Sequence, residues 1–263
     1  MEVDYYKKLF QTIGNIIELI EKDDIPKYLL FLENAFPYMD NYNYHKGMNG
    51  IIQELTELLK TKNIGTDSDR ALLLDFQATL ETKPEKAIKL EKDALAQIEN
   101  ITADNARLVS NLHANLGGLY RMNAHPDLAR EHMEKSISLL DQFNLLHIND
   151  SIPQIANYAM FLTEQQEPER GISELQKLSG IIKEYHSDEC LDYAKVQETL
   201  ATIYLMTANL SHAKTHFKKA FKIYEKIWAD EPEMIEAKYL EIQELYPQIG
   251  FSIGKTLSGL LTK

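Results

Sequence analysis

The sequence has one cysteine in 263 residues, with only eleven glycines and eight prolines. Cys190 alone cannot close an intrachain disulfide, so no oxidising compartment is implied. Scarce glycine and proline argue against a loop-rich or disordered chain. A hydrophobic content of 44% is ample for a buried core. No window approaches ~18 uninterrupted apolar residues, so no membrane span is expected. The opening MEVDYYKKLF lacks the basic region and long apolar run of a secretion signal. These absences lead us to expect a soluble, cytoplasmic protein. Arginine is missing before Arg70, and 40 acidic residues outnumber 28 basic ones, for a net charge of −12. A phosphate backbone needs the opposite balance, so nucleic acid is not an expected partner. Strand signals are nearly absent as well. The Asn49-Gly50 pair lies inside the helical-looking KGMNGIIQELTELL, not between two alternating runs.

What is present is helical periodicity. Apolar residues recur at three- and four-residue spacing in IIELI, YLLFLENAF and FKKAFKIYEKIW. The fold class expected is therefore all-α. A longer period lies on top of this one. Pro84, Pro126 and Pro168 stand 42 residues apart, and each is followed by an acid, Glu85, Asp127 or Glu169. Proline suits the first turn of a helix, where its missing N–H costs nothing. The acid complements the positive end of the helix dipole. One period further on, Leu210 replaces the proline, and Ser211 is the expected N-cap. The ruler also aligns Ala87, Ala129, Gly171 and Ala213, and ahead of them Leu74-Asp75, Leu116-Gly117, Tyr158-Ala159 and Leu200-Ala201. In each second helix, Glu91, Met133, Leu175 and Phe217 share a column, as do Ala94, Ser136, Leu178 and Ala220.

Leu200-Ala201, Tyr204, Ala213, Phe217 and Ala220 together resemble the signature of the tetratricopeptide repeat (TPR) family. The unit holding Leu116-Gly117, Tyr120, Ala129, Met133 and Ser136 matches most of it. The unit at 152–193 is looser, and the unit at 68–109 is weakest, because Asp75 and Glu91 fall on small or aromatic columns. The usual unit is about 34 residues long. Eight extra residues amount to about one more turn per helix, as in kinesin light chains and bacterial peptide-pheromone receptors. The resemblance implies an α-solenoid, a right-handed superhelix of four units over 67–235. A helical cap or three-helix bundle over 1–66 would precede them, and a capping helix and tail over 236–263 would follow. Paired helices cross closely where small residues sit, which accounts for Gly117 opposite Ala129. Gly118 has no such reason.

The resemblance further implies a concave groove lined by the first helix of each unit. Candidate ligand-facing residues are Phe76 in the first unit and Asn115, Gly118 and Arg121 in the second. Met160, Asn157 and Glu164 follow in the third, and Glu198 and Thr202 in the fourth. Asn115 and Asn157 share one column, and a helix-borne amide offers both an acceptor and donors to an extended peptide. Gly118 would let a ligand backbone approach closely. The implied partner is a protein or peptide segment, held by an adaptor or receptor without enzymatic activity or cofactor. Two alternatives stay open. Occupancy of the groove could reposition residues 1–66 against a signalling partner, or the chain could be a structural subunit that uses its convex face.

Other motifs fail on spacing. In GFSIGKT at 250–256, three residues separate Gly250 from Gly254 where a phosphate-binding loop needs four, and no strand precedes it. His113, His125 and His132 lack the three- or four-residue spacing of metal-ligand helices. His212 and His216 have it, but no third ligand is evident, so exposed helix histidines are expected. His186 and Cys190 could form a thiol–imidazole pair, yet nothing orients them.

Overall fold

The computed structural model describes residues 29, 32, 45–148 and 151–245. Ten helices form among these residues: α1 His45–Lys62, α2 Asp67–Leu80, α3 Pro84–Gln97, α4 Ala106–Met122, α5 Pro126–Gln142, α6 Ser151–Glu164, α7 Pro168–Tyr185, α8 Leu191–Met206, α9 Leu210–Ile227 and α10 Pro232–Leu245. The described residues include no strand. The first two expected N-terminal helices lie outside the described residues apart from Leu29 and Leu32, and GFSIGKT lies wholly outside them. The C-terminal helix begins at Pro232, four residues before the boundary expected at 236.

The 42-residue ruler reappears as backbone geometry. Pro84, Pro126 and Pro168 are the first residues of α3, α5 and α7, and Leu210 opens α9. The cap at α9 differs from expectation. Asn209, not Ser211, caps the helix, its side chain accepting from the His212 amide at 3.3 Å. Asparagine one residue before the helix reaches the free amides of the first turn, whereas Ser211 already lies inside the helix. The turns between paired helices repeat as well. Ala124, Gln166 and Ala208, again one period apart, carry left-handed φ values of 57°, 64° and 59°. In each turn the next amide closes back onto the last helical turn: His125 to the Tyr120 carbonyl at 2.9 Å, Glu167 to Leu162 at 2.8 Å, Asn209 to Tyr204 at 2.7 Å. This is the Schellman arrangement, built here without glycine. The first unit lacks it, and α2 ends instead on an extended Glu81.

The chain divides into two compact units, Met1–Leu139 and Leu140–Lys263. In the first, α1 packs on α2, α2 on α3, and α3 on α4. Its N-terminal core joins Leu29, Leu32, Met48, Ile52, Leu55 and Leu59 to Leu73, Phe76 and Leu80 of α2. A capping box starts α2, with the Asp69 amide donating to the Thr66 hydroxyl and the Thr66 amide to the Asp69 carboxylate. In the second unit, α6 pairs with α7, α8 with α9, and α10 packs on α9.

Close crossings occur where the ruler puts small residues. A Cβ on Gly117 would lie 2.6 Å from Met133 Cγ and 3.3 Å from the Ala129 carbonyl. A Cβ on Gly171 would lie 2.6 Å from the Ala159 carbonyl oxygen. Gly118 meets nothing within 4 Å, so packing gives it no role.

Candidate functional site

Five candidate residues sit on α6 and α8 in the second unit. Met160, Glu198 and Thr202 line one cavity of about 320 Å³, together with Lys195, Thr199 and Lys238. Helical spacing brings these side chains together, since Lys195, Glu198, Thr199 and Thr202 follow one another along one face of α8. The Thr199 hydroxyl donates to the Lys195 carbonyl at 3.0 Å, and the Thr202 hydroxyl to the Glu198 carbonyl at 3.1 Å. With their protons committed to the helix, both oxygens are left as acceptors. Asn157 and Glu164 are exposed on α6.

Glu198 is not simply offered to solvent. Lys238 of α10 pairs with it at 2.8 Å, and the Tyr224 hydroxyl of α9 donates to it at 2.6 Å. Burial opposes the charge of Lys238, but Glu198 and Glu241 outweigh burial and hold the ammonium above its ordinary range. Burial, and then the charge of Glu198, raise the Tyr224 phenol. Glu198 thus binds the C-terminal helix to the last repeat and forms one wall of the cavity.

In the first unit, α4 carries Asn115, Gly118 and Arg121. The Asn115 amide nitrogen donates to Asp75 Oδ1 of α2 at 2.8 Å. Asp75 and Glu91, the two misfits of the ruler, are brought together here. Glu91 is 1% exposed, and its Oε2 has no hydrogen-bond partner among the described residues. Burial, and then the Asp75 carboxylate, push the Glu91 carboxyl up to about 10 from its ordinary 4.5. Phe76 corrects an expectation. It was expected in the groove, yet it is 4% exposed inside the core that α2 shares with α1. The resemblance places this position outward in a unit preceded by another repeat, whereas here α1 covers that face.

The histidines also depart from expectation. His113 and His132 bring their Nδ1 atoms to 2.9 Å, and the His132 ring stacks on Tyr120. Two periods on, His216 stacks on Tyr204 and its Nδ1 lies 2.9 Å from Gln197 Oε1. The triads His113/Tyr120/His132 and Gln197/Tyr204/His216 therefore occupy the same columns, 84 residues apart. That doubled period was readable in the sequence and was missed because spacing within one helix was the criterion. Burial lowers His113 and His216 to about 4, helped by His132 and Lys135 in one case and Lys219 and His212 in the other. His212, with a ring 4.9 Å from Tyr204, is exposed as expected, but His216 is half-buried. Cys190 is not paired with His186. It caps α8, accepting from the Tyr193 amide at 3.5 Å, while His186 Nε2 meets the His147 carbonyl. Among the described residues, no group of three or more His, Cys, Asp or Glu side chains is placed to hold a metal ion. No helix among them is long and apolar enough to cross a membrane.

The family model for the tetratricopeptide repeat matches residues 151–226. Among solved structures, the chain resembles kinesin light chain TPR-like repeats from Podosopora anserina, with a TM-score of 0.59 at 12% identity, covering 80% of this chain and 100% of that one. It also resembles BtubC (BKLC) from P. vanneervenii, with a TM-score of 0.51 at 16% identity and coverage of 78% and 75%. A Rap protein complexed with Competence and Sporulation Factor matches with a TM-score of 0.55 at 16% identity, covering 94% of this chain and 71% of that one. No curated protein matches the sequence. The fold is an all-helical tetratricopeptide-repeat solenoid. It is the fold of a protein-interaction module, and such repeats are generally non-enzymatic scaffolds.

Proposed function

We propose that this tetratricopeptide-repeat chain is a non-enzymatic adaptor or receptor that holds an extended protein or peptide segment against the first helices of its repeats. The observation that carries this reading is the cavity where Met160, Glu198 and Thr202 converge with Thr199. Its chemistry suits a peptide backbone. Two threonine oxygens face it as acceptors, two lysines supply donors, and Met160 gives an adaptable apolar wall. Asn157, exposed on α6, has an amide that can pair with both the C=O and N–H of an extended strand. Asn115, on the same column of the second repeat, donates to Asp75 and also hydrogen-bonds Glu91, so its amide is already engaged by the first repeat. A Rap protein of the same fold was solved with a bound factor, which lends this reading support. The helix α1 then serves as a cap, since it buries Leu73, Phe76 and Leu80 of the first repeat.

The test is selection of a random decapeptide library on the full chain, with hydrogen exchange mapping where the selected ligand lies. Protection of α6 and α8 amides is expected, together with affinity loss in Asn157→Ala and in Thr202→Lys, which fills the cavity. A ligand that protects only α7 and α9 would overturn the reading, as would one indifferent to both substitutions.

A further inference from the structure

A cavity in the first unit departs from the repeat ruler at several columns together. Gln77 stands in the column of Leu119, Phe161 and Ile203, and Gln97 in that of Leu139, Ile181 and Ile223. Arg70 shares a column with Leu112, Gln154 and Val196. The later repeats bury most of these positions, since Leu112, Leu139, Phe161, Val196 and Ile203 are all 2% exposed or less. In the first repeat the three polar residues converge instead on a cavity of about 390 Å³ between α1, α2 and α3. Apolar side chains at 77 and 97 would fill that space and stabilise the unit.

The lining has three kinds of chemistry. Leu59, Leu73 and Leu74 form an apolar wall. Gln77 donates to the Thr56 hydroxyl at 3.2 Å, and Gln97 to the Asp93 carbonyl at 3.4 Å. Neither glutamine's side-chain carbonyl has a hydrogen-bond partner among the described residues. Lys60 stands at the rim as an exposed cation, without an ion pair among the described residues. Arg70 is already engaged by Asp67 and by the Gly65 carbonyl, so the open charge is that of Lys60. No acid lines the cavity, although the chain carries a net charge of −12. An apolar wall with a few convergent polar groups is the usual construction of a small-molecule site.

We propose that this cavity binds a small organic acid whose apolar body carries an amide beside the carboxylate, the chemistry of an N-acyl amino acid. The carboxylate pairs with Lys60 in a charge-assisted contact. The ligand's amide N–H donates to one glutamine carbonyl, and its C=O accepts the second N–H of a glutamine side chain. The apolar body lies against the three leucines and takes them out of water. Gln77 and Gln97 belong to columns that the later repeats bury, not to the ligand-facing ones. The site therefore takes a small molecule that enters between helices, and it stands whether or not a peptide lies along α6 and α8.

The experiment titrates the full chain, with isotope-labelled leucine methyls, with N-acetyl-L-leucine, its carboxamide and acetyl-triglycyl-L-leucine. The methyl resonances of Leu59, Leu73 and Leu74 should shift and saturate with N-acetyl-L-leucine. The carboxamide should bind roughly tenfold more weakly, the worth of one charge-assisted contact at an exposed cation. Lys60→Met should bring the acid and its carboxamide to within about twofold of each other. Gln77→Phe gives the first repeat the residue that the third carries, and Gln97→Leu the residue of the second. Each should abolish binding by filling the cavity, with a urea midpoint at or above that of the native chain. Equal affinity for acid and carboxamide in the native chain would overturn the proposal, as would undiminished binding in both filled variants. So would leucine resonances that none of the three compounds moves. Acetyl-triglycyl-L-leucine binding as tightly as N-acetyl-L-leucine would make the site one for a peptide terminus and overturn the small acid too.

Discussion

Replacing Glu91 with glutamine changes one atom type and tests the buried acid directly. In the native chain this carboxyl is 1% exposed and is raised to about 10, so at neutral pH the folded state holds a proton that the unfolded chain has released. The folded state binds more protons, so stability falls as pH rises between 4.5 and about 10. The slope approaches about 1.4 kcal/mol per pH unit for one proton. Taking up that proton at pH 7 against an unfolded value of 4.5 costs about 3 kcal/mol. Glutamine keeps a donor toward Asp75 and escapes this cost. Glu91→Gln should therefore be more stable than native by about 3 kcal/mol at pH 7, and the gap should widen by nearly another 3 kcal/mol by pH 9. Comparing the two chains at each pH cancels every other titration. Urea unfolding followed by far-UV circular dichroism measures the gap, and hydrogen exchange locates it in α2, α3 and α4. A gap that stays constant from pH 7 to pH 9 would refute the reasoning, because Glu91 would then be ionised in the folded chain.

Three further outcomes follow from geometry. Gly171→Ala should destabilise by about 1–3 kcal/mol in urea, since the new Cβ meets the Ala159 backbone at 2.6 Å. Gly118→Ala should stabilise by about 0.5–1 kcal/mol, because a helical glycine with open space gains only propensity. Ala208→Gly, at a φ of 59°, should stabilise by roughly 1 kcal/mol by relieving the left-handed penalty, again read from the urea midpoint. His113→Gln places in the second repeat the residue that Gln197 supplies in the fourth, keeping a hydrogen bond to His132. His113 is lowered to about 4, so its contribution is present above its ordinary 6.5 and is lost as pH falls toward 4. The variant should lose less stability than native between pH 6.5 and pH 4, measured by thermal melts across that window. An identical acid slope in both chains would mean that the imidazole pair titrates normally.

Legibility in the sequence tracked how directly a residue's role follows from its own column. The prolines at 84, 126 and 168 start helices because a missing N–H is tolerated only there, so period and helix boundaries were readable together. Gly117 was readable for the same reason, since its column demanded a small residue wherever paired helices cross. Phe76 was not, because its fate depends on α1, whose apolar face follows no part of the 42-residue ruler. The His113–His132 contact was hidden because the two rings come from different helices, 19 residues apart, and meet only through the crossing of α4 and α5.

The same distinction bears on the groove. Asn115 and Asn157 look equivalent on the ruler, and a reading by column alone would give them one role. The residue that the Asn115 amide meets belongs to another repeat, whose column departs from the ruler. Asn115 finds Asp75, which the first repeat carries in place of a small residue, and with it the buried Glu91. The amide in the second repeat thus inherits its chemistry from two residues that the signature counts as defects. If Asp75→Ala restored the small column, Asn115 would lose the carboxylate it now donates to. The affinity loss that Asn115→Ala causes for a selected peptide should then be larger in Asp75→Ala than in the native chain. An equal loss in the two backgrounds would mean that Asp75 does not set what Asn115 offers to a ligand.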